Sequence, residues 1–431
     1  MLDWQGRRTA ARRELVLRYN HAMNTDPKYV IVIPDGCADE PVESLGHRTP
    51  LQAAHLPNMD RVAATGVVGL SNNVPASLTP ASDVATLSLF GYDPLVVYTG
   101  RAPLETAAMG IALGPNDWAI RCNLVHTPDD RMRDFTAGHI TSSDGGELMA
   151  AIQRHLGGRE VAGGTLEFHA GVSYRNILVW RGHTPASPFN GTKGQPPHDI
   201  PDKPTADHLP TGPGRAILIT LMEESKAVLA SHPTNLRRTA NGEKAATQIW
   251  LWGLGKAPRV TPFADAYGPR GAIISAVDLV RGVGVLLGWT RIDVPGATGY
   301  LDTDYAAKGR AGVAALKDFD LVCVHVEAPD EASHEGLPDE KVKALERIDA
   351  DIVGPLLDAM QAYPNARLLI EPDHRTTLAT RAHAYGAVPF AACGHGLTPD
   401  GATQYDEPSA AASGLSFDPG WELMRWFLGR S

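Results

Sequence analysis

Three runs of β-branched and aliphatic residues, each ending in a carboxylate or an imidazole, constrain this chain more tightly than any other feature. Tyr29-Val-Ile-Val-Ile-Pro34 ends in Asp35-Gly36; Asp320-Leu-Val-Cys-Val-His-Val326 leads into Glu327-Ala-Pro-Asp330; Ala366-Arg-Leu-Leu-Ile370 leads into Glu371-Pro-Asp373-His374. Runs that stay apolar at nearly every position, instead of alternating, are buried on both faces, as strands of a parallel sheet are. In such sheets the functional residues gather beyond the carboxyl ends of the strands. The pattern predicts one site assembled from distant parts of the sequence. Between the second and third runs, Val342, Leu345, Ile348, Ile352 and Leu356 recur at helical spacing and predict a helix over roughly 339–361.

Gln248-Ile-Trp-Leu-Trp-Gly253, followed by Gly271-Ala-Ile-Ile-Ser-Ala276 and a helical stretch over 277–287, reads as a further strand–helix unit. Alternating β and α elements predict an α/β fold with a mostly parallel sheet covered by helices on both faces. The middle reads differently, with shorter strands such as Gly171-Val-Ser-Tyr-Arg-Asn-Ile-Leu-Val-Trp180 and a Pro/Gly-rich segment over 184–214 that must be mostly loop. At 431 residues the chain exceeds what one hydrophobic core usually supports. The expected organisation is an N-terminal extension (1–27), a discontinuous α/β domain (28–116 and 242–431) and an α+β domain inserted into it (117–241). In the extension, Ala10, Leu15, Val16 and Tyr19 roughly share a helical face, without the continuous apolar segment of a secretory signal.

The net charge of −10 disfavours non-specific binding to nucleic acid or anionic membranes. No apolar run reaches the roughly 18 residues of a membrane span. Cys37, Cys122, Cys323 and Cys393 are far apart and form no C-x-x-C pair, so a reducing, cytoplasmic setting fits better than a disulfide framework.

The strand ends supply metal-ligand chemistry. Asp330 and His334 stand one helical turn apart and can face one ion, and Asp373-His374 can diverge toward two. Mixed Asp/His ligation suits Mn²⁺ or Zn²⁺, with Mg²⁺ less favoured. Two ions about 3.5–4 Å apart can clamp the attacking and leaving oxygens of a phosphoryl transfer. Ser82 opens an apolar-periodic stretch, Ser82-Asp-Val-Ala-Thr-Leu-Ser-Leu. Locally it reads either as an N-cap or as a nucleophile beside free backbone N–H groups that favour an anion.

Pro34-Asp-Gly, Arg48-Thr-Pro-Leu-Gln-Ala-Ala-His-Leu-Pro-Asn-Met-Asp60, Ser82-Asp-Val-Ala-Thr-Leu-Ser-Leu-Phe-Gly-Tyr-Asp-Pro94, Tyr98-Thr-Gly-Arg-Ala-Pro-Leu-Glu105 and His325-Val-Glu-Ala-Pro-Asp-Glu-Ala-Ser-His334 together resemble the archaeal-type cofactor-independent phosphoglycerate mutases of the alkaline phosphatase superfamily. The resemblance runs from about residue 28 to the C-terminus. It implies an alkaline-phosphatase-like domain with an inserted transferase domain, and a glycolytic isomerase that interconverts 3- and 2-phosphoglycerate. It also implies two divalent ions, commonly Mn²⁺, and a phosphoserine intermediate on Ser82. One ion would be held by Asp35, Ser82, Asp373 and His374, the other by Asp330, His334 and His383.

Three departures stand out: Ala81 where the family usually has Gly, Arg375 where it has Pro, and Gly386-Ala387 where it has Asp-Pro. The last would remove a carboxylate behind one ion and weaken its hold. A phosphoglycerate brings a carboxylate and a phosphate, so guanidinium groups are expected to bind it. Arg121, Arg175, Arg238 and Arg101 are candidates, with His139; for each arginine a surface charge or an ion pair is the competing reading. Two domains closing on the substrate would exclude water and keep the phosphoserine from hydrolysing.

Ile249-Trp-Leu-Trp-Gly253 and Pro196-Pro-His-Asp-Ile200 are similar to a bacterial branch of the family thought to act as homoserine kinases. A kinase of this kind, a phosphatase and a non-catalytic phosphometabolite binder are the alternatives. No P-loop or kinase glycine loop is present, which counts against a nucleotide donor. The sequence leaves the oligomeric state open.

Overall fold

The computed structural model describes residues 26–430, so the helix expected within the N-terminal extension lies outside the described residues. The chain divides into two compact units, Val96–Val260 and the remainder up to Leu95 and from Thr261 onward.

The discontinuous unit is built on an eight-stranded sheet. In order across the sheet its strands are Ser416–Phe417, Gly66–Ser71, Val388–Gly394, Ala366–Ile370, Lys28–Pro34, Leu321–Val326, Gly271–Ile274 and Thr290–Arg291. Only Val388–Gly394 runs against the others, pairing antiparallel with both neighbours. Every residue of Lys28–Pro34 and Leu321–Val326 is buried, as expected of strands covered on both faces. Lys28–Pro34 lies between the other two strands of the acid-ended set, with Ile33 opposite His325 and Val32 opposite Ile370. That register brings the three acidic strand ends side by side.

The helix expected over 339–361 is present but not uniform. Pro338–Ile348 and Gly354–Met360 are α-helical, and Asp349–Val353 between them is a π turn. Pro355, which has no N–H to donate, sits just beyond this widened turn, a usual way for a helix to absorb the missing bond.

The unit Val96–Val260 has its own five-stranded antiparallel sheet, ordered Glu160–Val161, Gly164–His169, Arg175–Gly182, Trp118–Val125 and Gln248–Lys256. Helices Ser142–Leu156 and Arg215–Ala230 share a core with it that includes Leu148, Ile152, Leu218, Trp180 and Trp250. Helix Arg101–Ala108 packs through Ala102 against Ala119, Ile177 and Val179. The segment 184–214 holds only two short 3₁₀ turns, Pro197–Asp199 and Thr205–His208. Gln248–Lys256 corrects the sequence reading. It pairs antiparallel with Trp118–Val125 instead of opening a β–α unit of the large sheet. A continuous apolar run is equally at home in either sheet; the difference lies in its core partners, which here are those of the inserted unit. The compact unit is therefore wider than 117–241 at both ends.

Candidate metal centre

Each strand end delivers its side chain by a different local device. Asp35 follows Lys28–Pro34 directly, and its N–H bonds the Val326 carbonyl, tying the first two strand ends together. Gly36 comes next with φ +59°, a left-handed conformation suited to glycine, and a Cβ there would collide with the Asp330 side chain. Asp330 and His334 lie on one face of the short helix Ala328–Glu335, with His334 Nε2 3.1 Å from Asp330 Oδ2. Ser82 is the first residue of the buried helix Ser82–Leu89. His383 comes from the two-stranded hairpin of Arg375–Thr377 and Ala382–Ala384, where it lies opposite Thr376.

The structure brings all of these expected ligands together within the discontinuous unit. His374 Nε2 lies 3.2 Å from Ser82 Oγ, 3.6 Å from Asp35 Oδ1 and 3.5 Å from Asp373 Oδ2. Asp35 Oδ1 and Asp373 Oδ2 are fully enclosed and have no hydrogen-bond partner. Unpaired buried carboxylate oxygens are costly unless a cation faces them. Beside this group, His334 Nε2 and His383 Nε2 point at each other across 3.0 Å, and both approach Asp330. Two imidazole nitrogens aimed at one carboxylate fit a shared ion. The residues present therefore fit divalent ions, as the family resemblance implies.

With Gly386 and Ala387 in place of Asp-Pro, His383 Nδ1 bonds the Pro80 carbonyl at 3.1 Å, and His334 Nδ1 bonds the Arg381 carbonyl at 2.9 Å. Main-chain acceptors thus orient both rings with Nε2 inward. Arg375 turns outward and reaches Glu40 at 3.5 Å.

Charge is crowded here. Burial, then the charges of Asp373, Glu327 and Asp330, hold Asp35 well above the usual carboxylate range. Burial would raise Asp330 too, but hydrogen bonds from His334 and His383 outweigh it and hold Asp330 well below. The same bond to Asp330 pushes His334 up to about 9. Burial lowers His374 and pushes Glu327 up to about 8. A pocket that strains its carboxylates in this way favours a bound cation.

Sequence reasoning missed His325, Glu327 and Thr376. His325 is a histidine among the apolar residues of the fully buried strand Leu321–Val326 and bonds Asp35 Oδ2 at 2.8 Å. A polar group in such a run requires a partner, and that was the available signal. Thr376 Oγ1 donates to Asp330 Oδ1 and lies 3.1 Å from His374 Nδ1, bridging both halves of the centre.

A family model for 2,3-bisphosphoglycerate-independent phosphoglycerate mutase matches residues 63–235. A protein of that name from Methanothrix thermoacetophila is 47% identical over 402 residues, 93% of this chain and 99% of the relative. This chain belongs to that family. Among solved structures, a protein from Pyrococcus horikoshii superposes with a TM-score of 0.76 at 26% identity, covering 94% of this chain and 98% of that one. A cofactor-independent phosphoglycerate mutase from Thermoplasma acidophilum superposes with a TM-score of 0.66 at 25% identity, covering 93% and 99%.

In this family member the arginines expected to hold substrate divide into two kinds, all within Val96–Val260. Arg121 is buried, pairs with Glu105 at 3.0 Å and stacks 3.9 Å above Trp252. Burial lowers its pKa, Glu105 opposes this, and the charges of Arg101 and Arg175 add to the lowering, so the three guanidinium groups share one electrostatic neighbourhood. His198, which sequence reasoning did not single out as a site residue, lies edge-on to Trp252 and is lowered by burial and by Arg121 and Arg101, against an opposing Asp199. Arg175 and His139 are exposed. Arg238 is different. It is buried, and its guanidinium bonds Asp144 and the Lys244 and Ala137 carbonyls, which commits it to bracing its own unit. The cause is local: Arg238 is in the last turn of helix Pro233–Ala240, close to those carbonyls.

Proposed function

We propose that this chain interconverts 3-phosphoglycerate and 2-phosphoglycerate through a phosphoserine on Ser82, acting in the cytoplasm with two divalent ions, Mn²⁺ the preferred metal. The observation that carries this reading is the position of Ser82 Oγ, 3.2 Å from His374 Nε2 and next to the unpartnered oxygens of Asp35 and Asp373. Asp35, Ser82, Asp373 and His374 would hold one ion, and Asp330, His334 and His383 the other. When bound, the ions supply positive charge that favours ionised serine and stabilises the phosphoryl group in flight. Ser82 Oγ attacks phosphorus and the bond to the C3 oxygen breaks. The C2 oxygen then attacks the phosphoserine and Ser82 Oγ leaves. The helix beginning at Ser82 directs its first backbone N–H groups at the transferred anion. Arg101, Arg121 and Arg175 are proposed to bind the anionic groups of the substrate, in a substrate-binding role for the inserted unit; His139 remains a candidate with them, and Arg238 is withdrawn.

The test is turnover of 3-phosphoglycerate with Mn²⁺ and no bisphosphoglycerate, coupled to enolase, in wild type and Ser82→Ala. Wild-type production of 2-phosphoglycerate, lost in Ser82→Ala, is expected. A wild type that ignores phosphoglycerate but phosphorylates homoserine from ATP would overturn the substrate assignment.

A further inference from the structure

A cavity of about 480 Å³ on the discontinuous unit takes no part in the two-ion reading, and its lining combines aromatic rings with guanidinium groups. Tyr267, Trp421 and Trp426 give it partly exposed aromatic faces, Arg425 and Arg430 two positive charges, and Glu422 a carboxylate. The rings are held from behind. Tyr267 packs 4.8 Å from Phe263 and donates its hydroxyl proton to the Gly91 carbonyl at 2.5 Å. Trp426 packs 5.5 Å from Phe417 and 5.9 Å from Phe390. Aromatic faces fixed in this way lose little freedom when a flat ligand stacks on them.

The arginines are brought together by the way their helix stops. Gly429, with φ +68°, ends helix Glu422–Phe427 in a Schellman motif, in which Gly429 N bonds the Trp426 carbonyl at 2.9 Å and Arg430 N bonds the Arg425 carbonyl at 3.0 Å. The helix end needs neither guanidinium, because Arg367 donates to the Trp426 and Phe427 carbonyls at 3.4 and 2.7 Å. Exposed arginines elsewhere in this unit are matched, Arg61 to Asp358, Arg270 to Asp320 and Arg347 to Asp351. Among the described residues no side chain pairs with Arg425 or Arg430, and Glu422, one turn before Arg425, bonds neither. The lining is thus net positive in a chain whose net charge is −10.

We propose that this cavity binds a purine nucleotide, with the base stacked on the aromatic faces, the phosphate on Arg425 and Arg430, and the ribose hydroxyls on Glu422. Its volume lies within the range of small-molecule pockets, about 300–1,000 Å³. Gly91 stands just beyond helix Ser82–Leu89, whose eight residues span about 12 Å. The nucleotide is held a helix length from Ser82, as a ligand and not as a phosphoryl donor, and the site stands whether or not Ser82 carries phosphate.

The experiment uses radiolabelled AMP, dialysed to equilibrium against the full-length protein in Mn²⁺, with and without saturating 3-phosphoglycerate. One saturable site per chain is expected, unaffected by 3-phosphoglycerate and by Ser82→Ala. Arg425→Gln and Arg430→Gln, each checked for folding by circular dichroism, should weaken it about ten- to a hundredfold. Trp421→Leu should weaken AMP while leaving the much poorer competition by inorganic phosphate unchanged. Absence of saturable binding overturns the site. Displacement by 3-phosphoglycerate would place AMP at the metal centre, and binding that both arginine variants retain would place it elsewhere; either overturns the assignment. Inorganic phosphate competing as well as unlabelled AMP would show an anion site that ignores the base, and overturns the nucleotide.

Discussion

Thr376 carries a hydroxyl whose partners leave it one consistent arrangement. The Asp330 carboxylate can only accept, so the hydroxyl proton goes to Asp330, and Thr376 Oγ1 in turn accepts from His374 Nδ1–H. His374 then keeps its Nε2 lone pair for the space beside Ser82. Thr376→Val is expected to lower Mn²⁺ affinity by about 10–100-fold and Thr376→Ser to restore most of it, read by calorimetric titration. Lys308 gives a residue-scale prediction in pH. Burial pushes it down to about 8 from the ordinary 10.5. Between about pH 8 and 10.5 the unfolded chain holds this proton and the folded chain does not, so stability from this group rises with pH across that window. In urea unfolding, wild type should gain about 3 kcal/mol on Lys308→Met between those two pH values. A constant difference would show that Lys308 titrates as an exposed lysine.

At the scale of elements, the π turn Asp349–Val353 serves a helix other than its own. Helix Pro57–Ala64 has no side-chain cap from its own N-cap residue, Leu56. Asp349 supplies one from far along the chain, accepting from Met59 N at 2.7 Å and Asn58 N at 3.2 Å. Asp349→Ala is expected to cost about 1–3 kcal/mol by leaving buried donors unpaired, with Asp349→Asn milder, measured by chemical denaturation. The elements the sequence made legible share one property: their signal is local. The runs before Asp35, Glu327 and Glu371 announce buried strands, and the acids that follow announce a site. The same logic hid the rest. Gln248–Lys256 has the composition of any buried strand, and its choice of sheet depends on partners such as Trp180 that sequence order does not reveal. The Asp349 cap and the Thr376 bridge join residues 290 and 46 positions apart, beyond any spacing rule. Arg238 stood among the substrate-binding candidates because nothing in Leu-Arg-Arg-Thr shows the carbonyls that surround it.

At the scale of the whole molecule, the unit Val96–Val260 contains a complete sheet and its own core, whereas every candidate metal ligand belongs to the other unit. Residues 96–260 expressed alone should therefore unfold cooperatively yet bind no Mn²⁺, read by thermal circular dichroism and metal titration. A fragment without a cooperative transition would show that its core depends on the rest of the chain. The order of the large sheet also matters during synthesis. Its central strand, Lys28–Pro34, is the first of the described strands to be made, and both of its neighbours come late in the chain, with Asp35 and His325 290 residues apart. At ribosomal rates of about 5–20 residues per second, this fully apolar strand waits about 15–60 seconds for its partners. The inserted unit can finish folding during that interval. The nascent chain therefore carries a bare sheet centre past the cell's chaperones before Ser82 meets His374.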